Sequence, residues 1–287
     1  MKIKLLLLLA LTAAGCTKKI DVNFPDQTSK PVLNLLMVKD SLMEARVTLS
    51  GYMNKSNDFP AVENAVVKLY EDGIFREEMT RLTKDEKVVY ISTVKVRTGV
   101  TYRVTAAIPG YPEAEGSDVV PEPANAGEIK LKLIPTNGFY PKANITVELH
   151  DRAGEKNYYR IRLLNAYKFD SNEGPREYRY AFKFTSGDPR DVIFGTKDRY
   201  EFFTDDAYFD GQRAKFIFVS GATGDFRRVM VEVTTLTYNS YNYLFSAFMA
   251  HEKNDDPLAE KVIVFNNIVH GLGVVGGATK QEYIVTP

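Results

Sequence analysis

From residue 31 onward the chain is written largely in a period of two. Tyr102, Val104, Ala106 and Ile108 fall on one side of an extended segment, with Thr101, Arg103 and Thr105 on the other. Ile145, Val147 and Leu149 alternate with polar neighbours, as do Tyr178, Tyr180, Phe182 and Phe184, and later Val229, Val231 and Val233. Successive strand side chains point to opposite faces, so each run offers an apolar face that a second sheet must cover. Shorter β-rich runs lie at 32–38, 45–50, 65–70, 88–96, 158–164 and 215–219. Turn signals separate them: Glu71-Asp72-Gly73, Pro109-Gly110, Asn137-Gly138, Asp210-Gly211 and Ser220-Gly221. The pattern predicts a mainly β protein built of antiparallel sandwiches or barrels.

One segment departs from this period. Tyr241, Leu244, Phe245, Phe248 and Met249 stand at i, i+3, i+4, i+7 and i+8, a single apolar stripe. It predicts an amphipathic helix near 240–252, capped by Asn239 or Ser240 and unable to pass Pro257, that covers the open face or end of a sheet. The stretch 121–127 (Pro-Glu-Pro-Ala-Asn-Ala-Gly) reads as a linker. It divides the chain into a β-sandwich over 31–122 and a larger antiparallel β-domain over 128–287, both ordinary domain sizes.

The first thirty residues follow other rules. Lys2 and Lys4 precede an unbroken apolar run from Leu5 to Leu11, and Thr12-Ala13-Ala14-Gly15 leads into Cys16, the one cysteine of the chain. A basic start, a short apolar run and small residues make a secretory signal over 1–15. The run is short of the roughly 20 residues that span a bilayer. Small residues directly before Cys resemble a bacterial lipobox, with Ala13 where that motif usually carries Leu. The resemblance implies acylation of Cys16, which removes its thiol as a nucleophile; each buried methylene of an acyl chain adds about 0.8 kcal/mol of membrane affinity. Residues 16–30 are polar and aperiodic and read as a tether, reaching roughly 45 Å when extended.

Composition narrows the chemistry. Lys+Arg and Asp+Glu both number 37, so no overall field draws the chain to nucleic acid. One Cys excludes a disulfide framework and a thiolate metal site. His150, His251 and His270 lack metal-ligand spacing and read as surface histidines. Gly271-x-Gly273-x-x-Gly276 matches a dinucleotide fingerprint letter for letter, yet Tyr283-Ile284-Val285 reads as a strand where a helix is needed, and the chain stops at Pro287. A Gly-rich segment packed close against the helix or a sheet is the better account. Thr204–Gly211 gathers Asp205, Asp206 and Asp210 beside a glycine without EF-hand spacing; a solvated turn and a calcium loop both fit it. The many tyrosines suit strand packing, or a peptide- or glycan-binding face. We expect no enzyme, no cofactor and no resident metal, with carboxylates converging from separate strands into a hydrolase as the remote alternative.

Two sets of residues carry resemblances. Asn64-Ala65-Val66-Val67-Lys68-Leu69-Tyr70 with Gly73, Gly99-Val100-Thr101-Tyr102-Arg103-Val104, and Pro109-Gly110-Tyr111 resemble immunoglobulin-like or prealbumin-like sandwiches of bacterial surfaces. Tyr241-Asn242-Tyr243-Leu244, then Asp256-Pro257-Leu258-Ala259-Glu260, then the run from Asn266-Asn267 through Gly271, Gly273, Gly276 and Gly277, resemble a Bacteroidota lipoprotein family. That family is catalogued as domain of unknown function 4249. Val274-Val275 stands where an Ile-Phe pair is usual, a hydrophobic exchange. The resemblance marks Asn267, Gly271, Gly273, Gly276 and Gly277 as motif residues with a structural or partner-contact role. It implies a lipid-anchored outer-membrane protein facing the cell surface, with the periplasmic face as the other option. It further implies an accessory or substrate-binding partner of a TonB-dependent transporter; a surface adhesin or structural lipoprotein is the alternative.

Overall fold

The structure, a computed structural model, describes residues 28–51, 59–171, 174–187, 197–253 and 260–287. Among them the chain forms seventeen strands and one helix. The first half supplies β1 (Pro31–Val38), β2 (Leu42–Leu49), β3 (Val66–Glu71), β4 (Ile74–Glu78), β5 (Thr80–Lys84), β6 (Lys87–Lys95), β7 (Thr101–Ala107) and β8 (Ala114–Val119). The second supplies β9 (Asn125–Ile134), β10 (Lys142–His150), β11 (Tyr158–Ser171), β12 (Gly174–Ala181), β13 (Phe184–Ser186), β14 (Glu201–Asp205), β15 (Arg213–Ser220) and β16 (Val229–Leu236). Helix α1 (Tyr238–Lys253) and β17 (Leu272–Val285) complete it.

The protein is mainly β, as the period of two requires, and among the described residues the sheets form no closed barrel. Sheet β4-β3-β7-β8 covers the first half, sheet β13-β15-β10-β9 the second. A nine-stranded sheet, β12-β11-β16-β17-β1-β2-β6-β5 with β14 beside β11, backs both. Two apolar cores result. One holds Leu33, Leu35, Met37, Leu69, Tyr102 and Val104; the other holds Ile145, Val147, Phe216, Phe218, Val231 and Val233, all 1% exposed or less.

The C-terminal strand ties these halves together. Its first seven residues run parallel to β1, from Val32↔Leu272 to Val38↔Ala278, and its last eight pair antiparallel with β16, from Leu236↔Ala278 to Val229↔Val285. Fourteen residues at about 3.3 Å each carry one strand some 46 Å through both halves. Val275 packs in the first core, while Tyr283 and Val285 pack against the second. The parallel β1–β17 pair departs from the all-antiparallel expectation; a tight turn cannot make such a pair, and the chain between the two strands supplies the crossover it needs.

The run Tyr178–Tyr180–Phe182–Phe184 also folds otherwise than a single alternating strand. It breaks at 182–183: β12 stays in the nine-stranded sheet, and the chain crosses to the facing sheet at β13. Phe182 and Phe184 are buried in the second core, and Tyr178 is exposed.

Helix α1 lies across the outer face of the large sheet. Tyr241, Phe245 and Phe248 close on Phe203 of β14 at 6.1, 5.8 and 6.0 Å between ring centroids. The Tyr243 hydroxyl donates to Asn34 Oδ1 of β1 at 3.0 Å. Thr237 caps the helix, replacing the expected Asn239 or Ser240. Its Oγ1 accepts the Ser240 N–H at 3.2 Å, and its carbonyl receives the Tyr241 N–H at 2.9 Å.

Glu71 is the buried charge of the first sandwich, 4% exposed. Arg97 NH2 meets its Oε1 and Arg76 Nε its Oε2, each at 2.7 Å. The hydrogen bond from Arg97 holds its carboxyl below the ordinary 4.5, against the opposing pull of burial. A depressed carboxylate contributes stability above its unfolded value and loses it as pH falls through the folded one. Glu71→Gln is therefore expected to cost about 2 kcal/mol at pH 7. In thermal melts the gap from the parent protein should narrow as pH drops below 4.5. A gap that widens in acid contradicts this assignment.

Candidate functional site

Where the two sandwiches meet, a cleft of about 710 Å³ opens beneath the 121–125 linker. Its far wall is the junction end of the second sandwich. There Tyr159 of β11 and Thr235 of β16 line the cleft side by side, and Thr279 of β17 stands next to Thr235 in register outside the lining. Tyr159 donates to Asp151 Oδ1 at 2.6 Å, and Thr279 donates to the Pro121 carbonyl at 2.5 Å, which pins the linker to the large sheet. Arg152 reaches across to the Pro123 carbonyl at 2.8 Å. Burial and the neighbouring Asp151 raise the Tyr159 phenol well above its usual range. Tyr158 and Tyr238, 5.9 Å apart edge to face, add aromatic surface. Burial pushes Tyr241, its ring tilted against that of Tyr158 at 4.9 Å between centroids, up to about 12.

One side of the cleft is closed by a polar knot at the start of α1. Asp118, at the end of β8, accepts the Thr237 hydroxyl, the Gly277 N–H at 3.1 Å and its neighbour's Val119 N–H at 2.9 Å. The Ser240 hydroxyl donates to the Gly277 carbonyl at 2.9 Å. Burial raises the Asp118 carboxyl above 3.8, while the hydrogen bonds it receives from Thr237 and Gly277 pull the other way. One carboxylate thereby joins the first sandwich, the helix and the shared strand.

Of the motif residues, Gly277 and Gly276 belong to this knot, while Gly273 and Gly271 lie against β1. Gly277 sits against the end of β8: a Cβ there would lie 2.9 Å from Val119 C and from Val120 Cα, with the Val119 oxygen closer still. Gly276 faces Ser240 of the helix, whose Cα would be 3.2 Å from an added Cβ. Gly273 combines φ +110° with a crowded approach to the Leu33 carbonyl of β1. Gly271 lies against the Pro31 carbonyl.

Asn267 does the work of a missing strand. Beyond Gly277, β16 has ended and the edge of β17 would stand bare. The Asn267 carboxamide accepts the Val275 N–H at 3.0 Å and donates to the Val275 carbonyl at 2.8 Å. Its own N–H donates to the Gly273 carbonyl at 3.4 Å. The segment that resembled a phosphate loop is thus the middle of the sheet. A nucleotide-binding turn needs free N–H groups at a helix N-terminus, and here the strand ladder and Asn267 take them.

The acidic turn is rearranged relative to its sequence grouping. Asp206 and Asp210 join Asp151, with ligand oxygens within 4.8 Å of one another, and Asp205 lies outside this group. Each carboxylate accepts a backbone N–H: Asp206 from Asn157 at 2.7 Å, Asp210 from Gly154 at 2.8 Å, Asp151 from Gly211 at 3.0 Å. Asp205 Oδ1 accepts the Ala207 N–H at 3.3 Å. Among the histidines, His150 lines the cleft and bonds Glu148 at 2.8 Å, lowering that carboxyl. His270 Nδ1 lies 3.3 Å from the Glu113 carbonyl, and His251 is exposed in the last turn of α1. Cys16 and the segment 1–27 lie outside the described residues. Asp118, Asp151 and Thr235 escaped the sequence reading. Only Thr237, an N-cap residue just ahead of the apolar stripe, carried a local signal that could have been used.

Compared with known families, the chain matches Domain of unknown function (DUF4249) over residues 17–284. It belongs to that family. The match begins just after Cys16 and runs almost to the end of β17, so the DUF4249 unit includes both sandwiches and the strand that joins them. Among curated proteins none matches the chain significantly.

Proposed function

We propose that this DUF4249 protein is a non-enzymatic lipoprotein of a bacterial outer membrane. In this reading it is held through acylated Cys16, and it binds a solute or assists a TonB-dependent transporter. The observation that carries the reading is the junction cleft, a concave site of a size that small ligands use, roughly 300–1,000 Å³. Its linker and floor are fixed by side-chain bonds, as at Thr279–Pro121 and Arg152–Pro123, which suits holding a ligand at low entropic cost. The chain enters β1 at Pro31, one residue before Val32, which pairs with Leu272 in the shared sheet.

Metabolic labelling with palmitate tests the anchor: the parent chain should carry label, and Cys16→Ala should carry none. Co-purification after mild detergent extraction tests the partner. The expected result is a transporter recovered with the parent protein; repeated recovery of the labelled protein alone sinks the accessory role. The hairpin between β9 and β10 favours a second reading, adhesion. Phe139 is 91% exposed there and packs edge to face on Tyr140, an apolar tip suited to a protein surface.

A further inference from the structure

A second concavity, of about 420 Å³, lies on the outer face of the large sheet and shares no lining residue with the junction cleft. Its floor follows from strand register. Val32 and Asn34 of β1 lie opposite Thr48 and Arg46 of β2, and Leu272 of β17 lies beside Val32. Alternate residues of a strand share a face, so these side chains form one outward surface. Tyr243 of α1, the segment 264–266 and Phe59 supply the walls. Side-chain bonds hold them: the Phe265 N–H donates to Ser246 Oγ at 2.8 Å, and the Tyr243 hydroxyl to Asn34.

The lining is divided in its chemistry. Phe59, Val264 and Leu272 are 54%, 38% and 37% exposed, apolar surface that water covers unfavourably. Arg46 is the one charged residue of the described lining, and its guanidinium has no hydrogen bond or ion pair among the described residues. Glu44, two positions along the same strand face, is occupied by Lys84 at 2.7 Å. Asn34 Oδ1 is taken by Tyr243, so the amide nitrogen remains to donate beside Arg46. An apolar trough with one uncompensated cation fits a molecule that is apolar along its length and anionic at its head.

We propose that this trough binds a single-chain fatty carboxylate, its head on Arg46 and Asn34 and its chain against Val32, Phe265 and Leu272. The planar guanidinium donates two parallel N–H groups, which match the two oxygens of a carboxylate. Small-ligand sites span roughly 300–1,000 Å³, and about 420 Å³ suits one acyl chain better than a two-chain lipid. A neutral amphiphile would leave the Arg46 charge unmatched, and a hydrophilic anion would leave the apolar walls wet. The site stands apart from the function proposed above and requires neither the lipid anchor nor a transporter.

The test is photolabelling of the full chain in phosphatidylcholine vesicles with laurate that carries a diazirine on its chain, mapped by peptide mass spectrometry. Label should concentrate on the segments 32–50 and 264–272. Excess laurate should displace it, and dodecanol, which has the same chain without the charge, should not. Arg46→Glu reverses the charge at an exposed position and should cut the labelling at least about tenfold, while Arg46→Lys keeps most of it. Both variants should melt within about 2 °C of the parent protein. The inference is overturned if dodecanol competes as well as laurate, since the trough is then merely apolar. It is equally overturned if the label spreads along the chain, or if a folded Arg46→Glu protein labels like the parent.

Discussion

Gly277→Ala is expected to lower the folding stability by about 4 kcal/mol, near the upper limit for a single substitution. The added methyl would sit 2.9 Å from Val119 C and Val120 Cα, and closer to the Val119 oxygen. These are backbone atoms at and just past the end of β8, so no side chain can rotate away. Relief requires β8 and β17 to separate, which also breaks the Gly277 N–H to Asp118 bond. Urea unfolding followed by far-ultraviolet circular dichroism measures the loss, and thermal melts should fall by about 10 °C. Gly138→Ala is the control. It lies in the β9–β10 hairpin with only the Thr136 hydroxyl nearby, at 3.5 Å, and should change stability by less than about 0.5 kcal/mol. Equal effects at the two positions would show that the close approach of β17 to β8 does not exist in solution.

The second large effect is expected at Asp118. Asp118→Ala removes the acceptor shared by the Thr237 hydroxyl and the Gly277 N–H, leaving them only the longer bonds of 3.4 and 3.3 Å between Thr237 and Gly277, at a cost of about 2 kcal/mol. Thr237→Val should cost less. In the double variant the two losses should fail to add, by at least about 0.5 kcal/mol, because both act on one network. Strict additivity would mean that the residues do not share it.

The same carboxyl sets a pH dependence with a definite sign. Burial raises it above 3.8 in the folded protein, so folding favours the protonated form. The stability it contributes is fully present below 3.8 and is lost as pH rises through the folded value. Asp118→Asn cannot titrate. The stability of the parent protein relative to Asp118→Asn should therefore fall as pH is raised from about 3.8 toward neutrality. A relative stability that rises over that range contradicts the sign. Glu71 behaves oppositely, because Arg97 and Arg76 stabilise its charge where Asp118 meets only neutral donors.

Some of this was legible because its cause is local. Alternation at Tyr102–Ile108 and Ile145–Leu149 fixes which side chains must be hidden, and both sets are buried as strands. The i, i+3, i+4 stripe from Tyr241 to Met249 needs only helical geometry, and α1 forms over it. The Gly-rich segment was legible as a place of close packing. Its partners were not: Val119, Ser240 and Leu33 lie 158, 36 and 240 positions from Gly277, Gly276 and Gly273. The acidic turn shows the same limit. Asp205 and Asp206 are adjacent in sequence, yet alternate residues turn opposite ways, so Asp206 meets Asp151 and Asp205 does not.

The sequence by itself determined that the chain is a mainly β protein with one helix, because side-chain periodicity is a property of each segment alone. It also pointed to the DUF4249 family, since the motif residues lie close together along the chain between Tyr241 and Gly277. Tertiary structure alone decided that β17 runs beside β1 and joins two sandwiches, and that Asp118, Thr235 and Thr237 meet at one cleft. Those choices depend on which distant backbones come within hydrogen-bonding reach, and no local pattern of polarity encodes that.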